Sequence, residues 1–224
     1  MNRSNADELA EWAQQALGYR FAERGLLLQA LTHASFVGDS ERDHNGRLEF
    51  LGDSILNAAV SNLLFRRFPT EPEGLLTKKR VAMVCNEHLS EVGRELGVAS
   101  RVRVGKSMEA QMAQGNETVV ADAVEALVGA VFLDGGFGDA QRVVEKILFS
   151  RGIPEYSNAK GLLQEKVVAR FGELPVYHRR SLEGGFESRV VIKGQCMGVG
   201  RGRSKKEADQ RAAREALKLL EGEQ

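Results

Sequence analysis

The chain has 224 residues, enough for one or two domains of ordinary size. Its apolar fraction is 42%, and no run approaches the ~18 consecutive apolar residues of a membrane helix. Composition therefore excludes a helical integral membrane protein. Lys+Arg and Asp+Glu balance at 31 each, but unevenly. Residues 1–157 carry 17 basic and 22 acidic side chains, a net −5; residues 158–224 carry 14 and 9, a net +5. An acidic first part suits cations and a basic second part suits a polyanion.

The segment Met1–Glu11 is polar and lacks the apolar run of a secretion signal, so a cytoplasmic protein is expected. Cys85 and Cys196 lie far apart and form no CxxC pattern. His33, His44, His88 and His178 are scattered, with no HExxH. Neither a disulfide framework nor a zinc site is expected. Asn116-Glu117-Thr118 spells a glycosylation sequon, read as coincidental beside that N-terminus.

The first 150 residues read as helical. Apolar residues recur at helical spacing in Leu26–Leu31, Leu48–Phe65, Leu75–Val84, Leu89–Leu96 and Val119–Leu133. Breaks are expected at Gly25, Gly38–Gly46, Pro69–Gly74, Gly97 and Asp134–Gly138. Strand-like alternation is scarce, and Val102-Arg103-Val104 is too short to count. Arg151–Asn158 is rich in turn formers and reads as a short linker.

The pattern then changes. Lys160–Phe171 predicts a short helix with Leu163, Val167 and Phe171 on one face. Strand-like runs follow at Val176–Ser181, Phe186–Ile192 and Gln195–Val199, with Gly184-Gly185 and Lys193-Gly194 between them as turns. Ser204–Leu220 predicts a closing helix opened by a capping box, Ser204-Lys205-Lys206-Glu207. Its buried stripe is Ala208, Ala212, Ala216 and Leu220. The expected fold class is an all-α domain (1–150), a linker (151–158) and a small α+β domain of order α-β-β-β-α (159–224).

Two helices carry acids where acids are costly. In Val119–Leu133 the charged residues are Asp122 and Glu125, three apart and on one face. Around Leu48–Val60, Glu49 and Asp53 are four apart, again on one face. A carboxylate in an apolar neighbourhood is paired, protonated or bound to metal. Four acids from two helices could converge on hard divalent cations, for which Mg²⁺ with its oxygen preference is the natural choice. The plainer alternative for any one such pair is a solvated face or a partner for arginine.

The string His44-Asn-Gly-Arg-Leu-Glu-Phe-Leu-Gly-Asp-Ser54 closely resembles the signature of the ribonuclease III family, unbroken from Arg47 to Ser54. Ala121–Asp134 resembles the family's second active-site helix, and Leu31-Thr-His-Ala-Ser35 a third segment. Gly200–Ala213 resembles the end of a double-stranded-RNA-binding domain, so the likeness spans about Trp12 to Leu220.

The resemblance implies an endonuclease that cuts double-stranded RNA with two Mg²⁺ ions, Mn²⁺ being an alternative. Products would carry 5′-phosphate and 3′-hydroxyl ends with short 3′ overhangs. It implies a homodimer that processes ribosomal precursors and other structured transcripts, with no membrane and no small-molecule cofactor. Glu49, Asp53, Asp122 and Glu125 fall on the family's metal-binding carboxylates, with Asp53 and Glu125 central to catalysis. Phe50 matches a residue that plugs the partner subunit; the alternative is packing in its own core. Glu73 falls on another acid near the family's cleft. Lys160, Gln164, Glu165, Arg203, Ser204, Lys205 and Lys206 fall on RNA-facing positions.

Two departures stand out. Gly46 occupies a position where the family often has Glu, which bears on a side site and not on the four acids. Leu182–Phe186 is shorter than the family's loop there and lacks its Pro and His, so weaker duplex engagement by this domain alone is expected. Other classes remain open: a non-cutting duplex-RNA regulator, which intact acids argue against, and a small-molecule phosphohydrolase, which would have no use for the basic tail. Single-strand binding needs aromatic platforms that the tail's Phe171, Tyr177 and Phe186 hardly supply.

Overall fold

Leu48, Gly52, Leu56, Ala59, Val60, Leu63 and Leu64 repeat at three- and four-residue steps and form the buried stripe of helix α4 (Gly46–Arg67). The protein is described here by a computed structural model covering residues 3–37, 44–113, 116–154, 159–202 and 204–222. Ahead of α4 come α1 (Arg3–Leu17), α2 (Arg24–Ala30) and α3 (Ala34–Val37). After it come α5 (Glu73–Val84), α6 (Asn86–Glu95), α7 (Lys106–Ala113) and α8 (Glu117–Leu148), then a 3₁₀ turn at Phe149–Arg151. The chain divides into two compact units, Met1–Glu155 and Tyr156–Gln224.

In the first unit α8 is the central helix, because it is apolar nearly all round. The stretch Val119–Val131 of α8 offers Val119, Val120, Ala123, Val124, Leu127, Val128 and Val131 to several neighbours at once, and all are buried. Asn116 caps α8, its side chain accepting from the Val119 amide. The sequon's asparagine thus serves as a helix cap. The expected break at Asp134–Gly138 is a kink and not an end: Gly136 takes φ 80°, and the helix resumes to Leu148. Asp134 sits just before the kink. It accepts from the Tyr19 hydroxyl at 2.8 Å and from the Ala22 and Glu23 amides at 2.8 and 2.9 Å, tying α8 to the turn before α2.

Other breaks need revision. Gly25 lies inside the first turn of α2, where its lack of a side chain costs little. Residues 38–43 of the expected Gly38–Gly46 break lie outside the described residues. Arg103, between Val102 and Val104, forms an isolated parallel bridge with Thr32. The same strap is pinned by Ser35, whose hydroxyl accepts from the Gly105 amide at 2.9 Å and meets His33 Nδ1 at 2.9 Å. Helices α1 and α7 are not among the expected elements, although Leu9, Trp12, Ala13, Ala16 and Leu17 of α1 recur at helical spacing. α1 is anchored by Trp12, Ala13 and Leu17, with the Trp12 indole donating to the Leu96 carbonyl at 2.8 Å.

The second unit holds α9 (Ala159–Phe171), β1 (Val176–Leu182), β2 (Gly185–Ile192), β3 (Gln195–Gly202) and α10 (Lys205–Gly222). Its sheet is antiparallel in the order β1-β2-β3. Lys193 and Gly194, at φ 49° and 76°, form the β2–β3 turn with both residues in the left-handed region, which matches the strand twist. Met197 is the extra residue of a bulge, since Val190 pairs with Gly198 and Val191 with Cys196. Leu163 and Val167 of α9 and Ala212, Ala213, Ala216 and Leu220 of α10 close on Val190 and Ile192. Burying each larger side chain contributes about 1.5–3 kcal/mol. Gly198 and Gly200 lie within β3 against α10. A Cβ on either would fall 2.2 Å from the Ala212 backbone, so these glycines serve helix–sheet packing and not a phosphate loop.

Candidate active site and nucleic-acid interface

Helices α4 and α8 touch backbone to backbone. A Cβ on Gly129 would lie 2.3 Å from the Leu48 carbonyl oxygen, and Gly52 makes the reciprocal approach to the carbonyl of Glu125. No larger residue fits at either position. The acids sit at or beside these contacts, Glu49 next to Leu48 and Asp53 next to Gly52 on α4, Glu125 at the contact and Asp122 a turn before it on α8. Carboxylate oxygens of Glu49, Asp122 and Glu125 all lie within 4.8 Å of one another. Asp53 stands beside this trio, more exposed, with its Oδ1 accepting from Asn57 Nδ2 at 2.8 Å.

The electrostatics follow from burial and crowding. Burial, then the charges of Asp53, Asp122 and Glu49, push Glu125 up to about 8. Burial, then Glu49, push Asp122 up to about 6. Glu49 is raised by burial and by Asp53, with His44 partly offsetting the rise. None of the four has a lysine or arginine partner among the described residues. Desolvated, mutually repelling carboxylates without a basic partner are a fitting donor set for a hard divalent cation.

The other expected residues are placed as follows. Glu73 opens α5, exposed, with its carboxylate accepting from the Thr77 hydroxyl at 2.8 Å, and it does not join the trio. Phe50 is 81% exposed, which rules out packing in its own core. It lines a cavity of about 750 Å³ together with Gln29, Gly46, Arg47, Leu51 and the half-exposed Leu133. At Gly46 the His44 ring folds over the backbone. Its Nδ1 accepts from the Gly46 amide at 3.1 Å, and its Cε1 stands 3.0 Å from where a Cβ would be.

In the second unit, Gln164 and Glu165 are exposed on α9. Ser204 caps α10, its hydroxyl accepting from the Glu207 amide at 3.1 Å. The Lys205 ammonium lies 5.6 Å from the Phe186 ring centre, and Lys206 is exposed. Arg203 lies outside the described residues. Lys160 is committed within the fold: its ammonium is 2.6 Å from buried Asp209 and 4.5 Å from the Tyr177 ring centre. Asp209 also accepts from Arg179 at 3.0 and 2.8 Å and from the Ser188 hydroxyl at 2.7 Å. Gly52, Gly129, Asn57 and Asp209 were not singled out from the sequence. The glycines carried a signal, since both fall within the acid-bearing helices.

A helical unit built round a half-buried acid trio, followed by an α-β-β-β-α unit, defines a carboxylate-centred nuclease joined to a duplex-RNA-binding module. Residues 23–151 match the Ribonuclease-III-like family, and residues 159–220 match the double-stranded RNA binding motif. The ribonuclease 3 of Magnetococcus marinus is 41% identical, over 98% of this chain and 96% of that one. That of Syntrophotalea carbinolica is 38% identical, over 93% and 95%. The nuclease domain of ribonuclease III from Campylobacter jejuni superposes with a TM-score of 0.59 at 32% identity, covering 63% of this chain and 97% of that one. The chain belongs to the ribonuclease III family. It is an endoribonuclease specific for double-stranded RNA. Among the described residues no helix is long and apolar enough to cross a membrane.

Proposed function

We propose that this protein hydrolyses duplex RNA with two Mg²⁺ ions held by Glu49, Asp53, Asp122 and Glu125. The convergence of Glu49, Asp122 and Glu125 without a basic partner carries the reading. Bound Mg²⁺ supplies an activated water, relief of phosphate charge and stabilisation of the leaving oxygen. The chain's residues do the rest. Gly52 and Gly129 hold the two helices close enough for the acids to share a site. Asn57 orients Asp53. The expected products carry 5′-phosphate and 3′-hydroxyl ends with short 3′ overhangs.

Residues 1–150 would form the catalytic and dimerisation domain, joined through 151–158 to the RNA-binding domain at 159–224. Exposed Phe50 beside the cavity supports a twofold dimer in which each subunit's ring enters the other's cavity, a self-complementary arrangement. Gln164 and Glu165 on α9, and Arg203, Ser204, Lys205 and Lys206 at the start of α10, would face the duplex. There the free amides of the helix favour phosphate. Lys160 would act chiefly through Asp209. Ribosomal precursors and other structured transcripts in a bacterial cytoplasm are the expected substrates.

A long, perfectly paired, 5′-labelled RNA duplex tests this, incubated with Mg²⁺ or with EDTA. Mg²⁺-dependent cutting to short duplexes with 5′-phosphates is expected. A duplex shifted on a native gel but left intact in Mg²⁺ would overturn the nuclease reading and make the protein a non-cutting binder.

A further inference from the structure

The sheet of the second unit has two faces. Ser188, Val190 and Ile192 of β2 point to the helices and are buried. By strand alternation Glu187, Arg189 and Val191 point to the opposite, helix-free face. Glu187 is nonetheless only 3% exposed, because three arginines cover it. Arg180 reaches it from β1 at 3.5 Å, Arg189 from two residues along β2 at 3.2 Å, and Arg201 from β3 at 3.0 Å. The register explains the gathering, since Glu187 pairs directly with both Arg180 and Arg201.

One carboxylate against three guanidiniums leaves a local charge of +2. Arg189 and Arg201 both donate through Nε, so the forked ends of both guanidiniums have no partner among the described residues. These arginines are 57% and 71% exposed and Arg180 is 65% exposed. His178, paired with Arg189, adds an exposed ring on the same face. An arginine fork matches the oxygens of a phosphate, and Glu187 fixes where the three forks stand. Arg201 draws Glu187 below the usual carboxylate range, helped by Arg180 and Arg189, so the anchor stays charged.

We infer that the helix-free face of the sheet, through Arg180, Arg189 and Arg201 organised on Glu187, is a second RNA-phosphate surface. It engages a backbone segment other than the one held at α9 and α10. The occupant is argued from charge complementarity, because this face clusters three exposed guanidiniums, a match for a polyanion. The inference rests on the duplex-binding reading and not on cleavage.

The test uses the full chain and a fluorescent RNA duplex in Ca²⁺, read by anisotropy against salt. The sheet variant is Arg180→Gln/Arg189→Gln/Arg201→Gln with Glu187→Gln, so that no buried acid is orphaned. Its apparent salt slope should fall by roughly two to three, at about 0.9 per phosphate contact, and low-salt affinity should drop on the order of tenfold. Arg189→Gln alone, which leaves Glu187 two partners, should lower the slope by about one and serves if the fourfold variant does not fold. An unchanged slope in a folded variant overturns the inference. Binding lost in Lys205→Glu/Lys206→Glu but untouched by the sheet variant removes this surface and leaves the α10 assignment standing. The reverse pattern removes the α10 assignment and leaves this surface standing. Preference of this face for poly-L-glutamate over the duplex would make it a protein-docking surface and overturn the inference.

Discussion

A Cβ on Gly52 would lie 1.9 Å from the carbonyl oxygen of Glu125, well inside any permitted contact. The absence of one side chain on α4 thus decides where the acid on α8 stands. Gly52→Ala forces the helices apart and should destabilise the protein by about 1–3 kcal/mol, as overpacking does. It should also cost cleavage more than stability, because the acids separate. Gly74→Ala, where a Cβ meets nothing within 4 Å, is the control and should leave both unchanged. Thermal melts and a duplex-cleavage time course check the pair.

Glu125 is half-buried among three acids, and its carboxyl is pushed up to about 8. Glu125→Gln removes a metal ligand while keeping the neutral, hydrogen-bonding shape that the protonated carboxyl has without metal near neutral pH. Cleavage should fall at least about a hundredfold, since metal-assisted charge stabilisation supplies several kcal/mol. Duplex binding in Ca²⁺ should persist. Without metal near neutral pH the variant should melt close to the wild-type temperature, because a largely protonated carboxyl is replaced by a neutral amide. Above about pH 8 it should melt higher, because a repelling charge is gone. A lower melting temperature in EDTA would show that the carboxylate has a structural partner.

Asp209 gathers Lys160, Arg179 and Ser188 on the second unit. Burial acts to raise its carboxyl, but hydrogen bonds from Arg179, Lys160 and Ser188 outweigh it and hold it well below the usual carboxylate range. A depressed folded value means the unfolded chain binds the proton more readily. The stabilisation is therefore complete above the unfolded value near 4 and is lost as pH falls through it toward the folded one. Asp209→Asn should cost about 2 kcal/mol at pH 7, less than the roughly 3–5 kcal/mol of a fully buried broken pair, because Lys160 and Arg179 are partly exposed and regain water. Calorimetry of both proteins from pH 7 to pH 2 should show the gap closing with acid.

Phe50 is exposed and close to a cavity it helps to line. Phe50→Ala should leave the unfolding free energy of the isolated subunit within about 0.5 kcal/mol of wild type, as for an ordinary surface change. It should weaken dimerisation by about 2 kcal/mol or more, as expected of a central aromatic anchor. Light scattering across a dilution series reads the second effect. An undiminished dimer would place the interface elsewhere.

Features set by near neighbours in the chain were legible in the sequence. The Ser204 cap needs only Glu207, three residues on. The Lys193-Gly194 turn needs only its own backbone freedom. The stripe Ala208, Ala212, Ala216 and Leu220 follows from the helical repeat, and all four are buried. The pairing of Glu49 with Asp53 and of Asp122 with Glu125 on single helix faces was legible for the same reason. Helix α1 was legible on the same ground, through Leu9, Trp12, Ala13, Ala16 and Leu17, although its apolar side chains lie among polar ones and it is not among the expected elements; α7 has no such stripe.

What the tertiary structure alone decided is which side chains meet. Glu49 and Asp122 are more than seventy residues apart, and only the close approach at Gly52 and Gly129 brings their oxygens within reach of one ion. Asp209 and Glu187 read as ordinary charges in a basic tail. The register of three strands and the docking of α10 turn each into a buried anchor for several cations. Local sequence governs which faces a segment presents; the meeting of two faces depends on the packing of the whole unit.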